Sequence, residues 1–351
     1  MMTLDDFLKE WDSPSKTLLV HTSGSTGKPK PMWVEKKRML NSARITCDFL
    51  DLHPGDTALL CMSLDYIAGK MMMVRSMERS LCLFSVPPCG HPLSDESLSN
   101  AGLCDFTSLK KHGKKTVDAT TQYFDFVAMV PMQVYNSLQV PIERERLAHI
   151  KHLIIGGGAI DDALGEELSK LPGAVWSTYG MTETLSHIAL RCLNGAQKSD
   201  WYEPFSSVDI HANEEGCLVI DAPLVCNQTL VTNDMVEIRK ENNGKTFFRI
   251  KGRKDNVICS GGIKIQIEEV EDQLRPYLDA PFMIVKQKDE KFGEIAVLLT
   301  EENSEKLADI ANICREKLPK YWVPKKYIPM DRLPLTETGK PKRNYFSQVE
   351  F

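Results

Sequence analysis

Short apolar segments that are each followed by a loop and a helical pattern recur along the chain. Three of them cover residues 17–20, 126–130 and 152–155, and each is long enough for a buried strand. Beyond the loop after the first segment, apolar side chains recur at the spacing of one helix face, namely Met39, Ala43, Cys47 and Leu50. Strands that alternate with helices form parallel sheets whose two faces are covered. The sequence therefore predicts an α/β fold, with a mainly parallel sheet flanked by helices.

A change of pattern near residue 201 divides the rest of the chain. Short alternating strands such as 217–220 and 247–250 follow, separated by turn residues, and they predict a small β subdomain. Strand and helix signals start again after residue 253. At 351 residues the chain is also longer than one ordinary domain. We predict a large domain over residues 1–253, whose part from about 201 to 253 is the small β subdomain, and a smaller mobile α+β domain over 254–351.

Composition and charge exclude several classes of function. The chain has 48 acidic and 43 basic residues, a net charge of -5, which disfavours a nucleic-acid-binding protein held by phosphate contacts. No apolar run approaches the roughly 18 residues of a membrane span, and acids at the N-terminus argue against a signal peptide. The 10 cysteines include no Cys-x-x-Cys pair, which favours reduced thiols over a zinc site. We expect a cytoplasmic protein that binds neither nucleic acid nor membrane.

A loop of hydroxyl, glycine and lysine side chains follows the first predicted strand. It suits a polyphosphate, because glycine lets backbone N–H groups converge on phosphate oxygens while hydroxyls and lysine add hydrogen bonds and charge. The spacing differs from a Walker motif, and Pro29 follows Lys28 where a P-loop would enter its helix, so a P-loop ATPase is disfavoured. The predicted nucleotide-binding residues here are Thr22, Ser23, Gly24, Ser25, Thr26, Gly27 and Lys28.

This loop is the first of several motifs that occur in the order typical of one family. The others are Gly156-Gly157-Gly158, residues 179–184 (YGMTET), residues 232–234 (TND) leading to 252–255 (GRKD), and residues 334–340 (PLTETGK). Together they resemble the adenylate-forming superfamily, which includes acyl-CoA synthetases, adenylation domains of peptide synthetases and luciferases. The resemblance spans nearly the whole chain. It implies that ATP and Mg²⁺ activate a small carboxylic acid as an acyl-AMP, and that coenzyme A then accepts the acyl group.

The motif at residues 179–184 places an aromatic ring, a hydroxyl and a carboxylate within one glycine-hinged turn. The resemblance implies that Tyr179 stacks on adenine next to Gly180, that Thr182 bonds the α-phosphate, and that Glu183 binds Mg²⁺. Thr182 and Glu183 are therefore candidate catalytic residues. Taken alone, Glu183 would rather be a carboxylate at the start of a helix.

The resemblance completes the predicted nucleotide site with three further motifs. The glycines at 156–158 lack side chains, so they let a flat base approach the backbone, as in the family's adenine pocket. Asp234 is implied to accept hydrogen bonds from the ribose hydroxyls, and Arg253 to donate to the same sugar. The chain departs from the family at Asn233, where glycine is usual. Among residues other than glycine, asparagine best tolerates a left-handed backbone, so the turn can persist.

Two positions in the smaller predicted domain are assigned by the resemblance alone. Lys340 is identified as the catalytic lysine that bridges the attacking carboxylate and the α-phosphate, although an isolated lysine is ordinarily a solvated surface charge. Lys342 and Arg343 are expected to be such surface charges. Asp255 is the predicted hinge about which the smaller domain rotates between adenylation and thioester formation. Without the family it would simply belong to a charged linker.

The acid pocket is the least constrained part of the predicted site. Tyr66 stands where many relatives carry His beside the substrate, so the usual gating residue is replaced. Among the subfamilies, residues 66–75 and 184–188 most resemble the o-succinylbenzoate-CoA ligases of menaquinone biosynthesis. That substrate has two carboxylates, so the pocket should hold a donor for the one that is not activated. The candidates are Ser186, His187, Arg75 and Arg191, and the alternative is that His187 and Arg191 merely pack and pair at a surface.

Three alternatives stay open from the sequence. The chain could be an acyl-CoA ligase for another aromatic or short acid, a stand-alone adenylation enzyme that loads a carrier protein, or a nucleotide-binding protein without activity. The presence of Lys340, Glu183 and Asp234 argues against the last. Many relatives also have a subdomain ahead of the phosphate loop, which here begins at Thr22. We therefore expect either a more open pocket or cover by a partner subunit, as in a homodimer.

Overall fold

A computed structural model of the protein describes residues 2–21, 30–99, 123–335 and 341–343. The chain begins with helix α1 (Leu4–Asp12), strands β1 (Thr17–His21) and β2 (Pro31–Glu35), and helix α2 (Lys36–Phe49). Helix α1 starts at a capping box. The Thr3 hydroxyl accepts from the Asp6 N–H at 3.1 Å, and the Asp6 carboxylate accepts from the Thr3 N–H at 3.2 Å. These bonds satisfy two backbone donors at the start of the helix, which stabilises its first turn.

A central sheet of seven strands follows. In chain order its strands and helices are β3 (Thr57–Leu60), α3 (Ile67–Arg79), β4 (Cys82–Ser85), β5 (Phe126–Met129), α4 (Pro131–Gln139), α5 (Pro141–Ala148), β6 (His152–Ile155), α6 (Asp162–Ser169), β7 (Ala174–Met181), β8 (Ser186–Cys192) and β9 (Glu203–Pro204). The spatial order is β4-β3-β5-β6-β7-β8-β9. Neighbouring strands from β4 through β3, β5 and β6 to β7 pair in parallel. Strand β8 pairs antiparallel with β7, and β9 pairs antiparallel with β8. The predicted α/β fold with a mainly parallel sheet is confirmed.

Side chains of the central sheet alternate between two hydrophobic cores. Ala58 and Ile154 pack in the core that contains the buried side chains of α2 and α3. Their neighbours Leu59 and Leu153 pack in a second core with α4, α5 and α6. Successive residues of a strand point to opposite faces of the sheet. Helices therefore cover both faces, as the alternating pattern predicts.

The first predicted strand lies outside the central sheet, so the strand–helix interpretation was wrong for this segment. Strand β1 pairs antiparallel with β2 in a separate two-stranded sheet, in which Leu19 lies opposite Trp33. Leu18 and Val20 nevertheless point into the core shared with α2. Burial of these two side chains gives the segment the apolar pattern of a core strand, and a local pattern does not specify which strand is its partner.

A four-stranded antiparallel sheet follows the central one. Its strands are β10 (Asp209–Ala212), β11 (Cys217–Asp221), β12 (Leu230–Lys240) and β13 (Thr246–Arg253), paired in chain order. Leu218, Ile220 and Phe248 belong to the same core as α2 and α3. The small β subdomain predicted as part of the fold is therefore present, and its core is continuous with that of the central sheet.

The last part of the chain forms a further sheet with its own core. Its elements are β14 (Val257–Ser260), β15 (Ile263–Gln266), α7 (Ile267–Leu274), β16 (Phe282–Asp289), β17 (Gly293–Thr300), α8 (Leu307–Lys317) and β18 (Lys326–Pro329). The strand order is β15-β14-β17-β16, and β18 pairs in parallel with β17. Ile258, Ile284 and Leu298 pack with α7 and α8 in this core. The boundary between residues 253 and 254 stays a prediction.

Short 3-10 helical turns connect several of these elements. They cover Pro92–Ser94, Glu96–Ser99, Thr182–Thr184, Gly195–Gln197, Lys254–Asn256, Arg275–Tyr277 and Ser304–Lys306. Two of them, Thr182–Thr184 and Lys254–Asn256, contain residues of the predicted site. Across the described ranges, no helix combines the length and apolar character needed to span a bilayer.

Candidate nucleotide and acid site

Three glycines follow β6 at the carboxyl end of the central sheet, the edge at which open parallel sheets bind ligands. A Cβ atom at Gly156 would lie 2.4 Å from Oγ1 of Thr178 in β7, so a side chain does not fit there. Gly157 has a φ of +84°, which glycine adopts without strain. The backbone after β6 therefore lies directly against β7, one residue before Tyr179.

Tyr179, Asp234 and Arg253 form one hydrogen-bonded chain. The Tyr179 hydroxyl donates to Oδ2 of Asp234 at 2.6 Å, and Nη1 of Arg253 donates to Oδ1 of the same carboxylate at 3.1 Å. The register of the small sheet places Asp234 opposite Arg253, whereas Tyr179 comes from β7 of the central sheet. Burial, and then the charge of Asp234, raise the pKa of Tyr179, so its hydroxyl remains a donor. Three predicted nucleotide residues thus meet at the junction of two sheets.

The ring of Tyr179 is held by aromatic neighbours that the sequence analysis missed. Phe248 packs edge-on against it with ring centroids 5.1 Å apart, and Tyr202 lies at 5.9 Å. The Tyr202 hydroxyl is 2.8 Å from the Ser177 hydroxyl, which fixes its orientation. Phe248 lies in a predicted strand, and the apolar pattern of that strand indicates that Phe248 is buried, but not that it contacts Tyr179. No sequence signal indicates that Tyr202 contacts the nucleotide residues.

A tight hairpin joins β7 to β8 and carries the other residues of the motif at 179–184. A Cβ atom at Gly180 would lie 2.0 Å from the carbonyl oxygen of Ser186, so only glycine lets the two strands approach. Within the turn, Oγ1 of Thr184 accepts from the Met181 N–H at 3.0 Å and donates to the Ser186 carbonyl at 2.7 Å. Thr182 is buried in the same turn. The hairpin therefore fixes Thr182 and Glu183 at the end of β7, beside Tyr179.

Glu183 fits the role of a Mg²⁺ ligand. Its side chain is half-buried, and no other side chain or backbone group of the described ranges forms a hydrogen bond with its carboxylate. These ranges also contain no cluster of three or more His, Cys, Asp or Glu side chains that could hold a metal ion unaided. Magnesium ordinarily uses one or two carboxylates together with the phosphates of its substrate. A single available carboxylate beside the predicted nucleotide residues agrees with that chemistry.

Arg75 is a buried cation next to Ser186 and His187. Its residue is 1% exposed, and no acid of the described ranges lies within ion-pair distance of it. Nη2 donates to Oγ of Ser186 at 3.0 Å, while Nε is buried without a hydrogen-bond partner in the same ranges. Burial lowers the pKa of Arg75 to about 10, which still leaves it charged at neutral pH. A buried guanidinium with an unused donor is a strong site for an anion.

His187 is the neutral partner in this cluster. Burial, and then the charge of Arg75, hold the pKa of His187 well below its ordinary value of 6.5. Its Nδ1 lies 3.2 Å from the Ser186 hydroxyl and its Nε2 lies 3.0 Å from the Thr46 hydroxyl. The Thr46 hydroxyl donates to the Ser42 carbonyl, so the network assigns the proton of His187 to Nε2. Thr46, which the sequence analysis missed, thereby orients the imidazole.

Ser186 is held in an uncommon backbone conformation. Its φ is +106°, and the preceding Leu185 has a φ of +56°. Such conformations cost on the order of 1–3 kcal/mol in non-glycine residues and concentrate at functional sites. In this backbone conformation the Ser186 hydroxyl lies between Arg75 and His187. The predicted substrate residues Ser186 and His187 are thus brought together with Arg75.

Tyr66 and Arg191, the other two candidates for the acid pocket, lie apart from this cluster. Tyr66 precedes the first turn of α3, which packs so closely on the preceding loop that a Cβ at Gly69 would lie 2.3 Å from the Ser63 carbonyl oxygen. At ~1.5 Å per helical residue, Tyr66 and Arg75 are separated by about 13 Å along the helix. Arg191 lies 5.3 Å from the ring of Tyr202 and 4.0 Å from Asp200. For Arg191 the packing and pairing alternative describes its contacts.

Asp255, the predicted hinge, lies in the turn Lys254–Asn256 that follows β13. Its carboxylate accepts from Nη2 of Arg253 at 3.0 Å and from the side-chain amide of Asn233 at 3.0 and 3.3 Å. The chain of hydrogen bonds from Tyr179 through Asp234 and Arg253 therefore continues to Asp255.

Comparison with known proteins identifies the family of the chain. The family model described as "AMP-binding enzyme" matches residues 7–224, which is more than half of the chain. The chain belongs to the AMP-binding enzyme family. An acyl-CoA synthetase (AMP-forming)/AMP-acid ligase II-like protein from Dyadobacter fermentans is 32% identical, with a TM-score of 0.60 over 97% of this chain and 91% of that one.

Other relatives of this AMP-binding enzyme are 2-succinylbenzoate–CoA ligases. The protein of that name from Listeria monocytogenes is 23% identical over 97% of this chain and 71% of its own length, and one from Bacillus cereus is 24% identical over 97% and 72%. The o-succinylbenzoate CoA synthetase of Bacillus subtilis, solved with its acyl-adenylate intermediate, is 23% identical with a TM-score of 0.71, over 95% of this chain and 69% of that one. At this identity the structural likeness supports the fold.

Several predicted residues of the AMP-binding enzyme lie outside the described residues. These are the phosphate-loop residues Thr22 to Lys28 and the predicted catalytic lysine Lys340, whose roles stay predictions.

The expectation for Arg343, three residues beyond Lys340, was wrong. Arg343 is not a solvated surface charge, because Nη1 and Nη2 donate to the two carboxylate oxygens of Glu271 at 2.6 and 2.7 Å. Its side chain is 14% exposed.

Proposed function

We propose that this AMP-binding enzyme is an acid–CoA ligase whose acid is o-succinylbenzoate. A carboxylate oxygen of the acid attacks the α-phosphorus of ATP, and pyrophosphate leaves. The sulfur of CoA, having lost its proton, then attacks the acyl carbon, and AMP leaves. Family membership supports the adenylating step. The acid and CoA are supported by the names of the curated relatives, which align over nearly the whole chain.

The choice of acid rests on one observation: Arg75 is buried, and no acidic side chain of the described residues lies beside it. A guanidinium removed from water is costly unless an anion accompanies it, and in the described ranges no carboxylate does so. A substrate with a second carboxylate would supply that anion. The Ser186 hydroxyl lies between the guanidinium of Arg75 and the neutral imidazole of His187. Neither the hydroxyl nor the imidazole carries a negative charge that would compete with the carboxylate of the substrate. A monocarboxylic acid would leave Arg75 uncompensated.

The remaining residues have roles in the adenylating step. Tyr179 would bind adenine against the glycines after β6, while Asp234 accepts from the ribose hydroxyls with lone pairs not used by Tyr179 and Arg253. Glu183 would hold Mg²⁺, which supplies charge compensation for the phosphates. Thr182 would donate to the α-phosphate, and Lys340 would stabilise the charge that develops there. The domain over residues 254–351 would carry Lys340 to the site by rotating at Asp255.

A pyrophosphate-release assay with ATP, CoA and a panel of acids tests the proposal. We expect the highest kcat/KM with o-succinylbenzoate, and a low value with the analogue that has hydrogen in place of the carboxylate that is not activated. Arg75→Met should lower kcat/KM for o-succinylbenzoate by about 10- to 100-fold, the worth of a buried charge-assisted hydrogen bond, and change the value for the analogue little. Arg79→Met is the matched control, since Arg79 lies on the same helix but pairs with Asp48.

Two results would contradict this assignment. Equal losses for o-succinylbenzoate and the analogue in Arg75→Met would place the second carboxylate elsewhere. Release of pyrophosphate without CoA-dependent release of AMP would favour an enzyme that loads a carrier protein.

The proposal also includes a homodimer working in the cytoplasm, where ATP and CoA are available. Light scattering of the purified chain measures the oligomeric state.

A further inference from the structure

Asn233 contacts the predicted hinge directly. It precedes Asp234 in β12, and its side-chain amide donates to both carboxylate oxygens of Asp255, at 3.0 Å to Oδ2 and 3.3 Å to Oδ1. A glycine at this position, which is usual in the family that the sequence resembles, has no side chain to make these bonds. The departure from the family at Asn233 therefore adds a contact between the small β sheet and the hinge.

Three further contacts hold the same turn to the small sheet or to the following domain. Arg253 Nη2 donates to Asp255 at 3.0 Å while its Nη1 reaches Asp234. Lys254 pairs with Glu215, in the turn between β10 and β11, at 2.6 Å. On the other side, Nε2 of Gln266 donates to the Arg253 carbonyl at 3.0 Å. A change of backbone conformation at the hinge must therefore break the bonds that cross it, including those of Asn233.

We propose that Asn233 is a latch on the hinge and slows the change of orientation of the domain over residues 254–351. The proposal rests on the proposed function, because that function requires the domain to rotate at Asp255 between its two steps. The amide–carboxylate bonds stabilise the latched turn, and they must break before Asp255 can adopt a second conformation. Replacing Asn233 by a residue without the amide should release the hinge and leave the sheets intact, since its side chain is exposed.

Limited digestion of the full chain with trypsin measures the latch, because trypsin cleaves after Arg253 and Lys254 within the hinge. We expect Asn233→Ala to accelerate cleavage at these two bonds by about 3- to 10-fold, the effect of losing the exposed hydrogen bonds from one amide group. Asn243→Ala is the matched control. Asn243 is an exposed asparagine at the other end of the same hairpin, and its amide also donates to a carboxylate, that of Glu241.

A double-mutant cycle separates the latch from a general loosening of the sheet. In an Asp255→Ala background, Asn233→Ala should have no further effect on cleavage at the hinge, because its partner is already absent. Additive effects, or equal acceleration in Asn243→Ala, would overturn the proposal. Hydrogen exchange of residues 251–258, with Asn233→Ser as a second variant, gives an independent reading. These measurements need neither ATP nor an acid, so they can fail while the pyrophosphate assay succeeds, or the reverse.

Discussion

Arg343 joins the chain after the predicted catalytic lysine to the core of the last sheet. Besides its bidentate pair with Glu271, Nη1 donates to the carbonyl oxygen of Ile284 at 2.6 Å. Glu271 in turn accepts from the N–H of Ile284 at 2.7 Å. Strand β16 is an edge strand, and Ile284 is a residue whose backbone groups face away from its neighbour β17. The ion pair therefore satisfies an open sheet edge while it holds the chain that follows Lys340.

Replacing Arg343 by methionine should destabilise this sheet by about 2–4 kcal/mol. Removing one member of a buried ion pair typically costs 3–5 kcal/mol, because the other charge is left uncompensated. We extend the estimate below that range because the side chains are 14% and 10% exposed, so water can reach the remaining carboxylate. With an m-value of about 2 kcal/mol per molar urea, the unfolding midpoint of this sheet should fall by about 1–2 M.

Urea unfolding followed by hydrogen exchange at the amides of β16 and β17 measures the change. Arg343→Lys keeps the charge but not the two-pronged geometry, so it should fall between the parent and Arg343→Met. Arg315→Met is the control, because Arg315 is exposed on α8 and its described partner is Asn312. A midpoint for Arg343→Met within about 0.3 M of this control would refute the reasoning. So would additive effects of Arg343→Met and Glu271→Met, since a true pair must show coupling.

Two further predictions concern the candidate site. His187 stays neutral in the folded protein, whereas in the unfolded chain it takes up a proton below its ordinary pKa of 6.5. Its contribution to stability is therefore present above pH 6.5 and should be lost by about 1.4 kcal/mol per pH unit as the pH falls below that value. Urea midpoints at pH 7.5 and pH 5 measure this dependence, and an unchanged slope in His187→Asn would contradict it. Gly156→Ala places a methyl group 2.4 Å from Thr178 Oγ1, so AMP affinity measured by calorimetry should fall by at least about 10-fold. Adding Thr178→Ala should restore part of it, and no rescue would argue against this clash.

Much of the fold follows from local patterns. The strand at His152–Ile155 and the glycines after it were predictable, because apolar runs and glycine clusters report local backbone requirements. The pairing of β1 was not, since Leu18 and Val20 are buried in either arrangement. Which strand pairs with which depends on contacts between distant segments. The pattern of apolar residues along a strand indicates which side chains are buried, but it does not indicate which strand is the pairing partner.

The same limit applies to the site. Tyr179, Asp234 and Arg253 could be proposed from motifs, yet their mutual contacts arise from the register of β12 with β13 and from the packing of β13 against β7. Tyr202 illustrates what motifs miss. It lies next to the predicted nucleotide residues because it packs on Phe248, and no residue near it in sequence indicates this contact. Arg343 was misassigned for a related reason, because a charge in a basic segment gives no indication of a buried partner 72 residues away.

The distribution of cores bears on the proposed rotation at Asp255 between the two half-reactions. The central sheet and the small antiparallel sheet share one core, so Tyr179 and Asp234 are held in a fixed relative position. The last sheet has a separate core. The proposed rotation between these bodies therefore need not disturb either hydrophobic core, and we expect its barrier to come mainly from polar contacts around the turn Lys254–Asn256. Such contacts are individually weak, and a single exposed asparagine can then change the rate of rotation measurably.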